Sequence, residues 1–383
     1  MDSSPTNRPV HGPRGAPSRW LGLVSGEARG VGPSIARAGL TVLASGYRAG
    51  LALADLRRRL PGGVRRARCP VASVGNLTVG GTGKTPMVAY LANLVAGEGY
   101  RPLIVSRGYG AERGAMNEEA RELAERCPGI PHVQGADRLR AVRAYAAAHP
   151  CDVAILDDGF QHRRLARDLD IVLLDALRPF GYGHLLPRGL LREPPSALRR
   201  ADVLVVTRAD LVDAEALARV KEAAERYAGT AAPVLTAEHR PAGLVFADGS
   251  RAPSEWLAGR TVAAACAIGN PEAFRRTLER LDARVVRLDA FRDHHAYTAE
   301  DLSRLAGAAR EAGAAALVTT GKDFVKWRPL LADGTFQAAQ AEGDALSPPV
   351  AALEVAMVLT DGEGRLRQRV LDLLGPPRRG GDR

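Results

Sequence analysis

The chain has 383 residues, 46% hydrophobic and 25% charged, which suits two soluble domains around a large core. No apolar run reaches the ~18 residues of a spanning helix, Trp20–Val24 is too short for the core of a signal peptide, and four scattered cysteines (Cys69, Cys127, Cys151, Cys266) without a C-x-x-C pair argue against a disulfide framework or structural zinc and fit a reducing cytoplasm. Aromatic residues at 5% leave little base-stacking surface for nucleic acid, and the net charge of +10 sits at the front, where residues 1–70 hold twelve Arg against Asp2, Glu27 and Asp55.

That asymmetry calls for an anionic surface, a phospholipid head-group layer or nucleic acid, with a solvated Arg-rich tail as the plain alternative. Residues 1–33, rich in Pro, Gly, Ser and Arg, read as a disordered basic arm. Residues 34–60 read as an amphipathic helix. Leu40, Leu43, Tyr47, Leu51 and Ala54 share one face, and Arg37, Arg48 and Asp55 share another. Arg57-Arg58-Arg59 suits its C-terminus. Such a helix either lies in a membrane interface or packs on the core.

A β-branched run, Val71–Val74, is followed by a glycine-rich turn, and Lys84-Thr85 opens an amphipathic helix over Met87–Val95. Strand, glycine loop and helix in that order form a phosphate cradle. Amides of Thr78, Val79, Gly80, Gly81, Thr82 and Gly83 are placed to turn inward. Lys84 would reach the β/γ-phosphates, and the Thr85 hydroxyl would hold Mg²⁺. Thr78 stands where such loops usually have glycine.

Further apolar runs at Leu103–Val105, Val153–Leu156, Ile171–Leu174 and Val203–Val206 alternate with helical segments, so a P-loop NTPase-like parallel sheet with helices on both faces is expected over residues 61–235. The pattern loosens at Gly229, Pro233 and Pro241. A smaller C-terminal α/β domain is expected over residues 236–374, with strands at Val262–Ile268, Val285–Leu288 and Ala315–Thr319 and helices from Pro271 and Thr298. The Pro/Gly/Arg tail, residues 375–383, reads as disordered.

Three constellations carry chemistry. Val153-Ala-Ile-Leu-Asp157-Asp158 ends an apolar strand in carboxylates, as P-loop enzymes do beside Mg²⁺ and the γ-phosphate. Arg188, Arg192 and Glu193 lie in a Pro-bounded loop, where arginine suits a phosphate clamp and Glu193 suits the metal or the nucleophile. Asp293-His294-His295 offers a histidine beside a carboxylate, suited to act as base or orienter.

Taken together, these stretches resemble the tetraacyldisaccharide 4'-kinases. The motifs are Ser73-Val-Gly-Asn-Leu-Thr-Val-Gly-Gly-Thr-Gly-Lys-Thr-Pro86, Ser106-Arg-Gly-Tyr-Gly110, Asp157-Asp-Gly-Phe-Gln-His162, Leu186-Pro-Arg-Gly-Leu-Leu-Arg-Glu-Pro194, Gly269-Asn-Pro-Glu272, Asp293-His-His295 and Lys322-Asp323. The loop of that family also lacks the first glycine. The resemblance covers roughly residues 35–370. It implies transfer from ATP, with Mg²⁺, to the 4'-hydroxyl of a tetraacyldisaccharide 1-phosphate at the cytoplasmic face of the inner membrane.

It also implies residue roles. Thr85 and Asp157 or Asp158 hold the metal, and Asn76, Arg107, Gln161, His162 and Arg188 bind substrate. Glu118, Asp158, His294 or His295, Arg192 and Glu193 act in catalysis. The anionic membrane is a partner, nucleic acid is not, and a monomer is expected. Glu118 stands where the family has Asp, and Gly321 replaces an acidic residue before Lys322. The rival reading is a nucleotide switch such as a P-loop metallochaperone. Thr207-Arg-Ala-Asp210 echoes a guanine-reading motif only faintly, and no Cys/His ligand cluster occurs.

Overall fold

The computed structural model describes residues 19–60, 62–108, 116–229, 232–268, 271–292, 295–332 and 348–375. In chain order the elements are α1 (Arg19–Ser25), α2 (Val31–Arg59), β1 (Val71–Asn76), α3 (Lys84–Gly97), β2 (Pro102–Ser106), α4 (Glu118–Arg126), β3 (His132–Gln134), α5 (Arg138–Ala148), β4 (Val153–Asp157), β5 (Leu169–Asp175), β6 (Val203–Thr207) and α6 (Ala214–Ala228). The second half adds β7 (Val234–Phe246), β8 (Arg251–Ala252), β9 (Thr261–Cys266), α7 (Pro271–Arg280), β10 (Arg284–Ala290), α8 (Ala299–Glu311), β11 (Ala316–Thr320), α9 (Gly321–Ala332), β12 (Val350–Asp361) and α10 (Glu363–Leu374).

One sheet carries the strands in the order β10-β9-β11-β12-β7-β6-β5-β1-β4-β2-β3, with β8 on β7. β1, β2 and β4 to β6 are apolar runs buried along nearly their whole length, as parallel strands covered on both faces must be. Met87, Val88, Leu91, Ala92 and Val95 of α3 fill one face beside β1, β4 and β5. Val220 and Ala224 of α6, with Leu198, close the other. Each parallel block therefore brings its strand ends to one edge, where ligands bind in such sheets.

The division expected near residue 235 falls at the start of β7. Leu204–Val206 of β6 pair in parallel with Val234–Thr236, while the rest of β7 runs antiparallel to β12. A single strand thus joins two parallel blocks that run in opposite directions. The sequence pattern loosens there for a local reason. Pro241 and Gly243 flank a register shift against Glu354/Val355, and a Cβ on Gly243 would meet the Ala252 carbonyl at 2.8 Å.

The disordered basic arm expected over residues 1–33 is corrected where the structure describes it, since residues 19–33 include α1 and the first turn of α2. Trp20 Nε1–H donates to the Pro187 carbonyl (3.1 Å) and Val24 is buried, which offsets the ordering cost of a short helix. Residues 1–18 and 376–383 lie outside the described residues. Helix α2 is apolar on two sides. Leu40, Tyr47, Leu51 and Ala54 are half-buried, so of the two placements open for that face, packing on the core holds for all of its residues but Leu43. The exposed stripe is Val31, Ile35, Val42, Leu53, Leu56 and Leu60, and Leu43 stands exposed beside it.

Candidate active site

The phosphate loop is held from three sides. The Val79 N–H donates to the Leu190 carbonyl (2.8 Å), and Asn76 Nδ2–H donates to the Thr82 hydroxyl (2.8 Å). Thr207 Oγ1–H donates to the Thr82 carbonyl (3.0 Å), and an Arg208 N–H donates to the Gly81 carbonyl (2.8 Å). The Thr207-Arg208 pair therefore braces the loop. Gly83 is the left-handed N-cap of α3, and a Cβ there would meet His239 Nε2 at 2.7 Å, so only glycine fits. Burial, with the Arg208 and Arg126 charges, pushes His239 down to about 4, so a neutral ring backs the loop.

Lys84 opens α3, and its Nζ lies 3.8 Å from Asp158 Oδ1. Asp158 follows the end of β4 with φ +50°, a conformation non-glycine residues seldom adopt. The Arg192 guanidinium grips it through both carboxylate oxygens at 2.8 and 2.7 Å and also donates to the Asn76 side-chain oxygen. Burial opposes ionisation of Asp158, but the Arg192 hydrogen bonds and the Lys84 and Arg138 charges outweigh it and lower the carboxyl to about 2. Asp157 behaves oppositely. Burial first, then the Glu119 carboxylate, pushes it up to about 7 against the pull of Lys84.

The other site residues fall into three groups. Gln161 Nε2–H donates to the Asn76 carbonyl (2.8 Å), which brings Asn76, Gln161, Asp158 and Arg192 together. His162 is half-buried beside them, lowered to about 4 by burial and by Arg138 and Arg167, and Arg107 is exposed at the end of β2. A second group is engaged elsewhere. Glu193 is buried and paired with Arg200 (2.9 Å), which lies over the Phe160 ring. Arg188 donates to the Val24 carbonyl of α1 (3.2 Å). His295 Nε2 faces Asp301 at 3.0 Å and stacks on Phe291, so its carboxylate partner here is Asp301. A third group lies outside the described residues: Asp293, His294, Tyr109, Gly110, Gly269 and Asn270. The backbone of Glu118 opens α4, but its side chain is not among the described parts.

Sequence reasoning missed two groups. Arg138, buried at the start of α5, donates to the carbonyls of Asp158 (3.0 Å) and Asp157 (2.9 Å) and so fixes the turn that carries both carboxylates. Its signal was faint, an Arg just after the capping Asp137. Glu119, beside Glu118, is near enough to Asp157 to raise it.

Among the described residues no cluster of three His, Cys, Asp or Glu is arranged to cage a metal. A cation that keeps several waters and phosphate oxygens needs no such cage. Asp157 Oδ1 is buried without a hydrogen-bond partner, and a carboxylate oxygen of this kind, like a threonine hydroxyl at the start of the helix, is a hard donor of the type Mg²⁺ takes.

A glycine loop running from a buried strand into a helix, a Lys at its end, a carboxylate pair on the adjoining strand and an arginine clamp define a P-loop phosphate-binding enzyme site. A family model described as tetraacyldisaccharide-1-P 4'-kinase matches residues 36–374, and the chain belongs to that family. A tetraacyldisaccharide 4'-kinase of Syntrophus aciditrophicus is 44% identical over 288 residues, 69% of this chain and 77% of that protein. One from Anaeromyxobacter dehalogenans (strain 2CP-C) is 45% identical over 286 residues, 70% of this chain and 75% of that one. The crystal structure of LpxK from Aquifex aeolicus in complex with ATP is 28% identical with a TM-score of 0.67, covering 88% of this chain and 99% of that chain.

Proposed function

We infer that this chain performs the reaction for which its family is named, phosphoryl transfer from ATP to the 4'-hydroxyl of a tetraacyldisaccharide 1-phosphate, with Mg²⁺. The observation that carries the reading is the Lys84–Asp158–Arg192 arrangement at the mouth of the phosphate loop. The loop amides and Lys84 bind the phosphates. Arg192, preorganised on Asp158, faces the group in transfer, where fixed positive charge stabilises the developing negative charge. Asp157 and Thr85 are the residues suited to hold Mg²⁺, because Asp158 is already committed to Arg192 and Lys84. The bound ion would neutralise charge on the phosphate oxygens.

Glu118 is the carboxylate proposed to orient the sugar hydroxyl, with a histidine of the Asp293-His294-His295 stretch as its partner. The switch reading loses ground, since Thr207 and Arg208 are spent on bracing the loop. The test is nucleotide turnover with and without lipid. ADP formation should rise steeply on adding the disaccharide 1-phosphate, whereas a lipid-independent rate would favour a switch.

The pH dependence of metal binding checks the assignment of Asp157. Its folded-state value lies above that of an exposed carboxyl, so the protonated form adds stability that is lost as pH rises toward about 7. A cation must displace that proton. Affinity for Mn²⁺, followed by calorimetry without nucleotide, should fall by up to about tenfold per pH unit below pH ~7 and level off above it. Asp157→Asn should abolish that slope. A slope that persists in Asp157→Asn would remove Asp157 from the metal site.

The proposed location rests on α2. No helix among the described residues is long and apolar enough to cross a membrane. Val31 and Val42 are 77% and 72% exposed, and their stripe continues through Ile35, Leu53 and Leu56. A long apolar stripe beside Arg37, Arg48 and Arg57 suits peripheral docking on an anionic membrane surface, the inner leaflet where the lipid substrate lies. Replacing Ile35, Val42 and Leu53 with Ser should weaken partitioning onto phosphatidylglycerol vesicles by about tenfold or more, and salt should weaken the parent. Equal partitioning of parent and variant would count against docking through this stripe. The division into a nucleotide-binding part, residues 61–235, and a smaller part, residues 236–374, is proposed as functional, with β7 as the shared seam.

A further inference from the structure

Helix α2 touches the reaction site directly. On its body-facing side, the half-buried Tyr47 hydroxyl donates to the main-chain carbonyl of Arg192 at 2.9 Å. Arg192 is the residue whose guanidinium grips Asp158. Two turns further along, Asp55 accepts from Arg58 of its own helix and from Arg163. Arg163 lies in the loop that leaves β4 through Asp158 and Gln161. The helix thus holds both arms of the charge cluster, the segment bearing Arg192 and the loop bearing Asp158. Its exposed apolar stripe lies on the opposite side, so the two contacts remain in place while that stripe meets a lipid surface.

We propose that Tyr47 and Asp55 are positioning residues that tie α2 to Arg192 and to the loop after Asp158, so that the helix facing the membrane also sets the geometry of phosphoryl transfer. This rests on the kinase reading given above. The physical argument is one of leverage. Arg192 must meet developing charge within a fraction of an ångström to be effective. Its side chain is fixed by Asp158 and Asn76, and its main-chain N–H donates to the Leu77 carbonyl (2.7 Å). Tyr47 supplies the bond to its carbonyl. Losing that bond lets the peptide tilt without unfolding anything, because Tyr47→Phe keeps the ring and removes one hydroxyl. Asp55→Asn likewise keeps the shape and removes the charge that restrains Arg163.

The experiment uses the full-length protein with ATP and tetraacyldisaccharide 1-phosphate in mixed micelles. Tyr47→Phe should lower kcat about three- to tenfold, with KM for ATP and for lipid unchanged. Its thermal midpoint and its partitioning onto anionic vesicles should match the parent. Asp55→Asn should move kcat the same way, and the double variant should lose more than either. If kcat of both single variants stays within about twofold of an active parent, the proposal fails while the kinase reading stands. It fails equally if kcat falls only together with the thermal midpoint or with vesicle binding, since α2 would then be a structural or anchoring element alone. A parent that transfers no phosphate to the lipid overturns the kinase reading and this proposal with it.

Discussion

Lys84→Ala lowers turnover by about 10²–10³ at saturating ATP and lipid, while the protein stays folded. The expectation follows from where Lys84 sits. Gly83 turns the chain in the left-handed region, the helix begins at the next residue, and the ammonium group lies 3.8 Å from Asp158. It belongs to no hydrophobic cluster, so its removal leaves the packing of Met87, Val88 and Leu91 intact. The ion pair is partly exposed and adds about 0–1 kcal/mol to stability, so the thermal midpoint should barely move. The loss falls on the transition state, where a preorganised positive charge is worth most. Lys84→Arg should not restore the rate, because a planar guanidinium does not fit where a point charge is needed. Steady-state kcat with a thermal melt checks both arms. A folded Lys84→Ala protein with near-parental kcat would contradict the placement of phosphate at this loop.

Glu118→Gln is the second large effect, a loss of about 10²–10⁴ in turnover with ATP affinity little changed. Glu118 opens α4, next to the capping Asn117, and the following Glu119 acts electrostatically on Asp157. The start of α4 is therefore at the edge where the carboxylates gather. Glu118→Asp is the sharper variant. If the backbone has adjusted to the longer side chain, Asp falls short and activity drops. If it has not, Asp matches or exceeds the parent. Glu119→Gln separates the neighbours, because it should let the Asp157 carboxyl ionise more readily and shift the metal-binding slope to lower pH. Unchanged turnover in Glu118→Gln would remove Glu118 from the reaction.

The phosphate loop was legible because glycine, Lys and Thr at fixed offsets after a β-branched run have few other uses. Asp157 and Asp158 were legible as a pair, but not the contrast in surroundings that divides them. That division depends on Arg192, 34 residues away, and on Arg138, whose contacts are to main-chain carbonyls that no side-chain pattern announces. β7 was masked by its own Pro241 and Gly243, which a bulged strand tolerates and a regular one does not. Helix α2 was legible near its observed bounds, but whether the face of Leu40, Tyr47 and Leu51 met a membrane or the core was not. A helix with apolar residues on two sides satisfies the 3.6-residue period twice, and only the Tyr47 and Asp55 contacts show which side meets the body. For His295 the sequence offered Asp293 as the nearby carboxylate. The Thr298–Asp301 capping box instead presents Asp301 to the ring.

The central claim is transfer to a lipid hydroxyl at this phosphate loop. The most direct measurement incubates the purified protein with ATP labelled at the γ-phosphate, Mg²⁺ and tetraacyldisaccharide 1-phosphate, then separates lipid from aqueous label. The predicted result is label in the lipid fraction as a bisphosphorylated disaccharide carrying phosphate at the 4' position, and its absence with Lys84→Ala. Label appearing only as inorganic phosphate, at the same rate with or without the lipid, would contradict it.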